Sequence, residues 1–340
     1  RPRVLEFFAG IGLARLGLER SGFEVVWAND YEPGKYAMHQ AHFQAGQGRP
    51  YVVGDIKDVA ASDLPRNTQL AWASSPCTDL SLAGSRAGLE GTESSAFWLW
   101  VNLLREMDDD APPVVVLENV TGLATSRGGD DLRAAIRGLN ELGYSIDILM
   151  IDARRFLPQS RARLFLVGSK NPPVSVDQGS ELRPAWTADF YGDASLVTHR
   201  APLPTPPAYR TSGLVDLVED MPLEDERWWN SERTQRFSDS LSPIQRDRVS
   251  QLINATGITY RSAYRRTRKG VATWEVRADD VSGCLRTARG GSSKQAVVRM
   301  GSGSLHVRWM TPVEYARLMG AGDFRLTGSS TNQALFAFGD

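Results

Sequence analysis

Short apolar runs alternate with segments of helical spacing through the first half of the chain, and that alternation predicts an α/β sheet. Val4–Phe8, Phe23–Ala28, Gln69–Ala73, Val114–Leu117, Tyr144–Ile151 and Arg163–Val167 read as strands, being short and apolar. Leu13–Arg20, Tyr31–Phe43, Ser94–Met107 and Asp130–Leu142 carry helical spacing between them, the last ending at Gly143, a C-cap signal. Strands separated by helical patterns imply βαβ units and a mainly parallel sheet. The pattern weakens after Asn171-Pro172-Pro173, where Pro184, Pro202, Pro204, Pro206 and Pro207 interrupt any period. A second, loop-rich domain is expected from there to about Val307. A helix then returns at Thr311, which has Pro312 at N1 and Glu314 at N3, a capping box.

Composition narrows the class. At 340 residues the chain is long enough for about two domains, and 41% hydrophobic with 23% charged residues is ordinary for a globular protein. No run approaches the ~18 apolar residues of a membrane helix, and no signal peptide is read at the N-terminus, so no membrane association is expected. Two cysteines cannot build a disulfide framework, so a reducing, cytoplasmic setting is expected. The four histidines show no zinc spacing; His39 and His42 share a helix face and read as solvated, and no metal is expected. A net charge of -1 gives no global nucleic-acid signal, so any DNA-binding surface must be a local patch. Glu219–Glu226 reads as a solvated acidic face, whereas Arg261, Arg265, Arg266, Arg268 and Lys269 concentrate cations around Tyr264 in what reads as a loop.

The chemistry lies at predicted strand ends. Phe8-Ala9-Gly10-Ile11-Gly12 follows the first strand, and glycines there let a ligand approach a helix N-terminus. Asp30, about 20 residues on, is placed to clamp ribose hydroxyls. Tyr31 suits stacking on an adenine, and Asp55 beside Ile56 suits its amino group. In order at three strand ends, these favour an adenosine-containing ligand. Pro76-Cys77 follows another strand; by itself Cys77 reads as a packed small hydrophobe sooner than as a nucleophile. Glu118 ends the central strand, either as a hydrogen-bonding cap or, beside Cys77, as an acid. Arg161 and Arg163 alternate near the next strand and point to one face, suited to an anionic or carbonyl-bearing substrate; surface arginines are the alternative.

Taken together, these stretches resemble the cytosine-C5 DNA methyltransferase family of bacterial or phage type. Phe8–Gly12 is similar to its first motif, Pro76-Cys77 to its catalytic motif, Glu118-Asn119-Val120 to its Glu-Asn-Val, and Gln159–Arg163 to its Gln-x-Arg-x-Arg. Arg308–Glu314 with Arg317–Gly320 resembles the helix supporting the target-recognition domain, and Phe338-Gly339-Asp340 the start of the last motif. Thr78 stands where the family usually has Gln, and Ser81 holds its expected place.

The resemblance implies a Rossmann-like, S-adenosylmethionine-dependent methyltransferase sheet over residues 1–170. A target-recognition domain at 171–307 and a return to the catalytic domain at 308–340 follow from it. Cys77 would add to C6 of a flipped cytosine, Glu118 would engage N3, Arg163 would grip O2, and Arg161 would support the adduct. The loop Thr78–Gly91 would close behind the base. S-adenosyl-L-methionine would be held by Phe8, Ala9, Gly10, Gly12, Asp30, Tyr31, Asp55, Ile56 and Pro76, leaving S-adenosyl-L-homocysteine as product. Ser81, Arg261, Arg265, Arg266, Arg268, Lys269, Arg286, Arg289, Ser292 and Ser293 would face double-stranded DNA. Cys284 reads as a packed cysteine. A monomer serving restriction–modification or phage defence, alone or as part of a defence-system operon, is expected. The alternatives are a tRNA cytosine-C5 methyltransferase, whose Cys-Phe-Thr signature is absent, and a non-catalytic DNA-binding relative.

Overall fold

The computed structural model describes residues 1–43, 50–76, 96–176, 179–268, 270–286 and 294–339, with the backbone alone at 267 and 268. Two compact units emerge, Arg1–Ile151 with Ala162–Pro206, and Asp152–Arg161 with Pro207–Asp340.

The first unit is built on strands β1 (Arg3–Phe7), β2 (Glu24–Asp30), β3 (Tyr51–Val53), β4 (Leu70–Ser74), β5 (Val114–Val120), β6 (Ser145–Asp152) and β7 (Ala162–Ser169). They form one sheet in the order β3-β2-β1-β4-β5-β7-β6. Parallel pairing runs from β3 through β2, β1 and β4 to β5, and β7 lies antiparallel beside β5. Helices α1 (Leu13–Arg20), α2 (Pro33–Phe43), α3 (Ala96–Met107), α4 (Asp130–Asn140) and the short α5 (Ala188–Tyr191) accompany it. Strands covered on both faces must be apolar throughout, and the buried core accordingly joins Leu5, Phe7, Ala71, Val115, Leu117, Ile146 and Leu166 to Trp100 and Leu104 of α3.

Unit 2 carries an antiparallel sheet of its own. Helices α6 (Ser231–Asp239) and α7 (Pro243–Asn254) pack with an antiparallel sheet of β8 (Thr259–Arg268), β9 (Val271–Val276), β10 (Gln295–Gly301) and β11 (Ser304–Trp309), ordered β11-β10-β8-β9. Phe237, Val249, Ala263, Val298 and Val307 form its core. The segment 171–206 groups with unit 1 and α8 (Pro312–Leu318) and α9 (Thr331–Gly339) with unit 2, so compactness divides the chain differently from the functional boundaries read in the sequence. The predicted capping box is present: the Thr311 hydroxyl accepts from Glu314 N and Glu314 accepts from Thr311 N. Glu314 also takes a two-pronged pair from buried Arg308, at 2.8 and 2.5 Å. Glu219 joins this network through its own N–H and a bond from the Thr311 hydroxyl, so this residue is not part of a solvated acidic face.

Polar groups are also buried beneath the first strand. His39 is only 3% exposed, packed between the rings of Phe43 and Tyr51 and facing Arg15, which corrects its reading as a solvated helix residue. Burial and the neighbouring Arg15 charge hold its imidazole down at about 3. Glu6 of β1 accepts from Arg15 N at 3.0 Å through Oε1, while its Oε2 has no hydrogen-bond partner among the described residues. Burial pushes its carboxyl up to about 8, against the opposing pull of the Arg15 N–H. The folded state therefore holds the Glu6 proton more tightly than the unfolded chain. Its contribution to stability is complete below the ordinary value of 4.5 and is lost as pH rises towards about 8. Glu6→Gln removes that slope. Denaturant titrations should show the variant gaining on the parent by on the order of 2–4 kcal/mol between pH 5 and pH 8. Parallel pH profiles for the two proteins would contradict the assignment.

Candidate active site

The carboxyl ends of β1, β2 and β3 hold the first group of residues. Gly10 and Gly12 adopt φ of 56° and 87°, which glycine tolerates best. A Cβ on Gly12 would meet the Phe43 ring at 2.5 Å, whereas one on Gly10 would meet only Lys35, at 3.9 Å. Gly12 is thus required by packing, and Gly10 by conformation alone. The Gly10 peptide is held at both ends: its N–H donates to Asp30 Oδ2 at 2.9 Å, and its carbonyl accepts from the Tyr51 hydroxyl at 2.7 Å. Asp30 Oδ1 accepts from Glu32 N, so two backbone donors fix this carboxylate. Phe8 turns into the loop with φ 57°, and Ala9 N donates to the Asn29 carbonyl. Tyr31 is 56% exposed beside Asp30. Asp55 caps a short turn, accepting from Lys57 N, and Ile56 after it is buried. The sequence pointed to Asp30 but not to Tyr51, whose bond to Gly10 spans 41 positions and leaves no local signal.

The second group sits on β4, β5 and β7. Glu118 is level with Ser74 in the parallel pairing, so it lies beside the end of β4, where Ser75 and Pro76 follow. On its other side Glu118 faces Phe165 and Val120 faces Arg163. This register places Glu118 and Arg163 diagonally on one face of the sheet, and Arg163 Nε meets Glu118 Oε1 at 3.0 Å. Both are largely covered, at 18% and 21% side-chain exposure, so solvent screens the pair less than at an open surface. Asn119 points the other way and donates to the Ser75 carbonyl at 3.1 Å, tying β5 to the turn that precedes Cys77. Part of the expected site falls outside the described residues, namely Cys77, Ser81 and the loop Thr78–Gly91. A cavity of about 380 Å³ elsewhere in unit 1 is lined by Thr121, Thr125, Arg133, Trp186 and Phe190, which the sequence did not single out.

Arg161 and Arg163 have different partners, and a common substrate-facing role does not follow. Within unit 2, Arg161 donates through Nη1 to the Leu285 carbonyl at 3.0 Å and lies 3.7 Å from Cys284 Sγ. Buried Gln159 braces the same segment, donating to Leu318 O and accepting from Leu285 N. The expected DNA-facing cations divide as well. The stretch Arg261–Arg268 is strand rather than loop. Arg261 donates to its neighbour's carbonyl and approaches Asp280, and Arg265 Nε is buried with no hydrogen-bond partner among the described residues. Arg266 pairs with Glu275, and Arg286 is exposed. The Arg268 side chain, Lys269, Arg289, Ser292 and Ser293 lie outside the described set.

Residues 2–340 match the family model for C-5 cytosine-specific DNA methylases. The chain belongs to this family. The type II methyltransferase M.Bsp6I of Bacillus sp. (strain RFL6) is 32% identical over 172 residues, 50% of this chain and 52% of that protein. The orphan methyltransferase M.SPRI of Bacillus phage SPR is 27% identical over 254 residues, 71% of this chain and 55% of that protein. The chain spans about half the length of the curated relatives it matches. Its fold is shared by S. pombe Dnmt2 methyltransferase, with a TM-score of 0.61 at 17% identity, covering 100% of this chain and 94% of that one. No helix among the described residues is long and apolar enough to cross a membrane, and none of their acidic, His and Cys side chains form a metal-binding group.

The Gly10 clamp gives a direct test. Tyr51→Phe keeps the ring stack with Tyr36 and His39 and removes a hydrogen bond worth about 1 kcal/mol. Hydrogen exchange over residues 9–12 should accelerate about fivefold with protection of β1 and β4 unchanged. Unaltered exchange in that loop would show that Tyr51 does not hold it.

Proposed function

We propose that the chain is a DNA (cytosine-5) methyltransferase, transferring a methyl group from S-adenosylmethionine to C5 of a cytosine flipped out of double-stranded DNA. The observation that carries this reading is the Glu118–Arg163 pair at 3.0 Å, level with the strand end that leads to Pro76-Cys77. Family membership supplies the reaction class, and relatives named as type II methyltransferases favour a restriction–modification role.

The residues at the ends of β1, β2 and β3 suit S-adenosylmethionine. Gly10 is open on its outer side, the Asp30 carboxylate is oriented by two N–H donors and can accept from ribose hydroxyls, and exposed Tyr31 offers a ring face to adenine. Asp55, with Ile56 beside it, would complete the adenosine site, and Phe8, Ala9, Gly12 and Pro76 its walls. When bound, this cofactor supplies an electrophilic methyl group on a sulfonium.

Cytosine C5 is a poor nucleophile, so the Cys77 thiolate first adds to C6 and makes C5 enamine-like. Glu118 holds N3 and the exocyclic amine as charge develops in the ring. Arg163 orients the Glu118 carboxyl through Nε and grips ring O2, serving both partners from one guanidinium. Once C5 carries the methyl group it gives up its proton to water, the C5–H electrons re-form the C5–C6 double bond, and the Cys77 sulfur leaves C6 as thiolate. Arg161 acts at a distance, bracing the Leu285 segment. Extrusion of the base is required throughout, because C6 is inaccessible to a thiol inside the stack.

Tritiated S-adenosylmethionine with duplex DNA tests the reading. Methyl transfer should be lost in Cys77→Ala and fall about a hundredfold or more in Glu118→Gln. Bisulfite sequencing of the product should report methylated cytosine. Transfer to tRNA in place of DNA, or none from a protein that binds the cofactor, would contradict it.

A further inference from the structure

Among the described cations of β8, Arg266 is held differently from Arg261 and Arg265. Tyr264 is paired directly with Glu275, and Arg266 with Thr273, so Tyr264, Arg266 and Glu275 share one face of the β8–β9 ladder. The other face carries Ala263, Arg265, Trp274 and Val276 against the core of unit 2. On the outer face the Tyr264 hydroxyl donates to Glu275 Oε2 at 2.7 Å, and Arg266 Nε meets the same oxygen at 3.3 Å. The Arg266 guanidinium also lies 5.2 Å from the centre of the Tyr264 ring. A carboxylate 15% exposed thus anchors one edge of a guanidinium whose side chain remains 53% exposed. Among the described residues β9 is an edge strand of its sheet.

We propose that Arg266, oriented by Glu275 and Tyr264, is a specificity-determining residue that reads a guanine edge in the major groove of the DNA target. The proposal rests on the DNA-methyltransferase reading above. Binding to phosphate is driven by net positive charge and counterion release. Arg266 with Glu275 beside it brings little net charge and sets a carboxylate near any phosphate it meets. Guanine O6 and N7 are neutral acceptors, and what they require is a guanidinium fork held in one plane. The shared Glu275 oxygen and the Tyr264 ring supply that restraint. Glu275 is a positioning residue here, acting on DNA through Arg266.

Selection of bound duplexes from a randomised pool by the full chain, followed by sequencing, tests this without relying on catalysis. The parent should enrich duplexes with guanine at a defined position. Arg266→Ala and Arg266→Lys should both lose discrimination at that one position by about 10–100-fold and keep it at the others, because lysine restores charge but not the fork. Glu275→Gln should blur the same position. Replacing that guanine with 7-deazaguanine should weaken the parent about tenfold and leave Arg266→Ala unaffected. A uniform fall in affinity across all sequences, with the salt dependence reduced by about one phosphate and rescue by Arg266→Lys, would overturn the proposal in favour of a backbone contact. Absence of any enriched guanine in the parent would overturn it too. Methyl transfer to the selected duplexes is scored separately, so binding without transfer leaves Arg266 in place and refutes the activity alone.

Discussion

The antiparallel placement of β7 against β5 is the constraint on which the candidate active site depends. In a sheet that is otherwise parallel from β3 to β5, Glu118 stands at the carboxyl end of its strand and Arg163 at the start of its own. Parallel strands would put these two positions at opposite edges of the sheet, about 15–20 Å apart. Reversal of β7 brings them to the same edge, where the register leaves them diagonal on one face. The parallel β4–β5 register then sets the end of β4 alongside. Two strands with opposite directions thus converge their chemistry at one place, and the 3.0 Å ion pair is the outcome.

A second constraint lies under the glycine loop. Glu6, Arg15, His39 and Tyr51 are packed in a layer beside Gly10 and Gly12, where desolvation favours a protonated carboxyl and a neutral imidazole. Leaving groups of this kind in a core costs stability unless they are hydrogen-bonded. What they contribute here is orientation: Tyr51 fixes the Gly10 carbonyl, Glu6 takes an N–H of the first turn of α1, and the His39 ring blocks a side chain at position 12.

Much of the α/β unit was legible because its signals are local. The α1 boundaries and the strand from Val114 onwards follow from apolar spacing, and in the second unit the Thr311–Glu314 box follows from its capping residues. The second unit was less legible. Asn230 before α6 and Ser242-Pro243 before α7 are start signals that a closer reading of caps would have found. β8 was hidden by its arginines, which suggested a loop because cations fill positions on both faces of the strand. His39, Glu219 and Tyr51 were beyond sequence reading for another reason: their environments are made by residues far along the chain. The same holds for the split between Arg161 and Arg163, which stand two positions apart yet serve the Leu285 carbonyl and the Glu118 carboxylate respectively.

In the proposed reaction Cys77 attacks a cytosine ring while Glu118 and Arg163 hold it. Duplex DNA with 5-fluorocytosine in place of cytosine tests this most directly, because a C5–F bond blocks the final elimination. With S-adenosylmethionine present, the parent should form a protein–DNA complex that survives denaturant, carries one transferred methyl group and maps by mass spectrometry to Cys77. Failure to trap any complex under conditions where ordinary cytosine is methylated, or an adduct on another residue, would contradict the account.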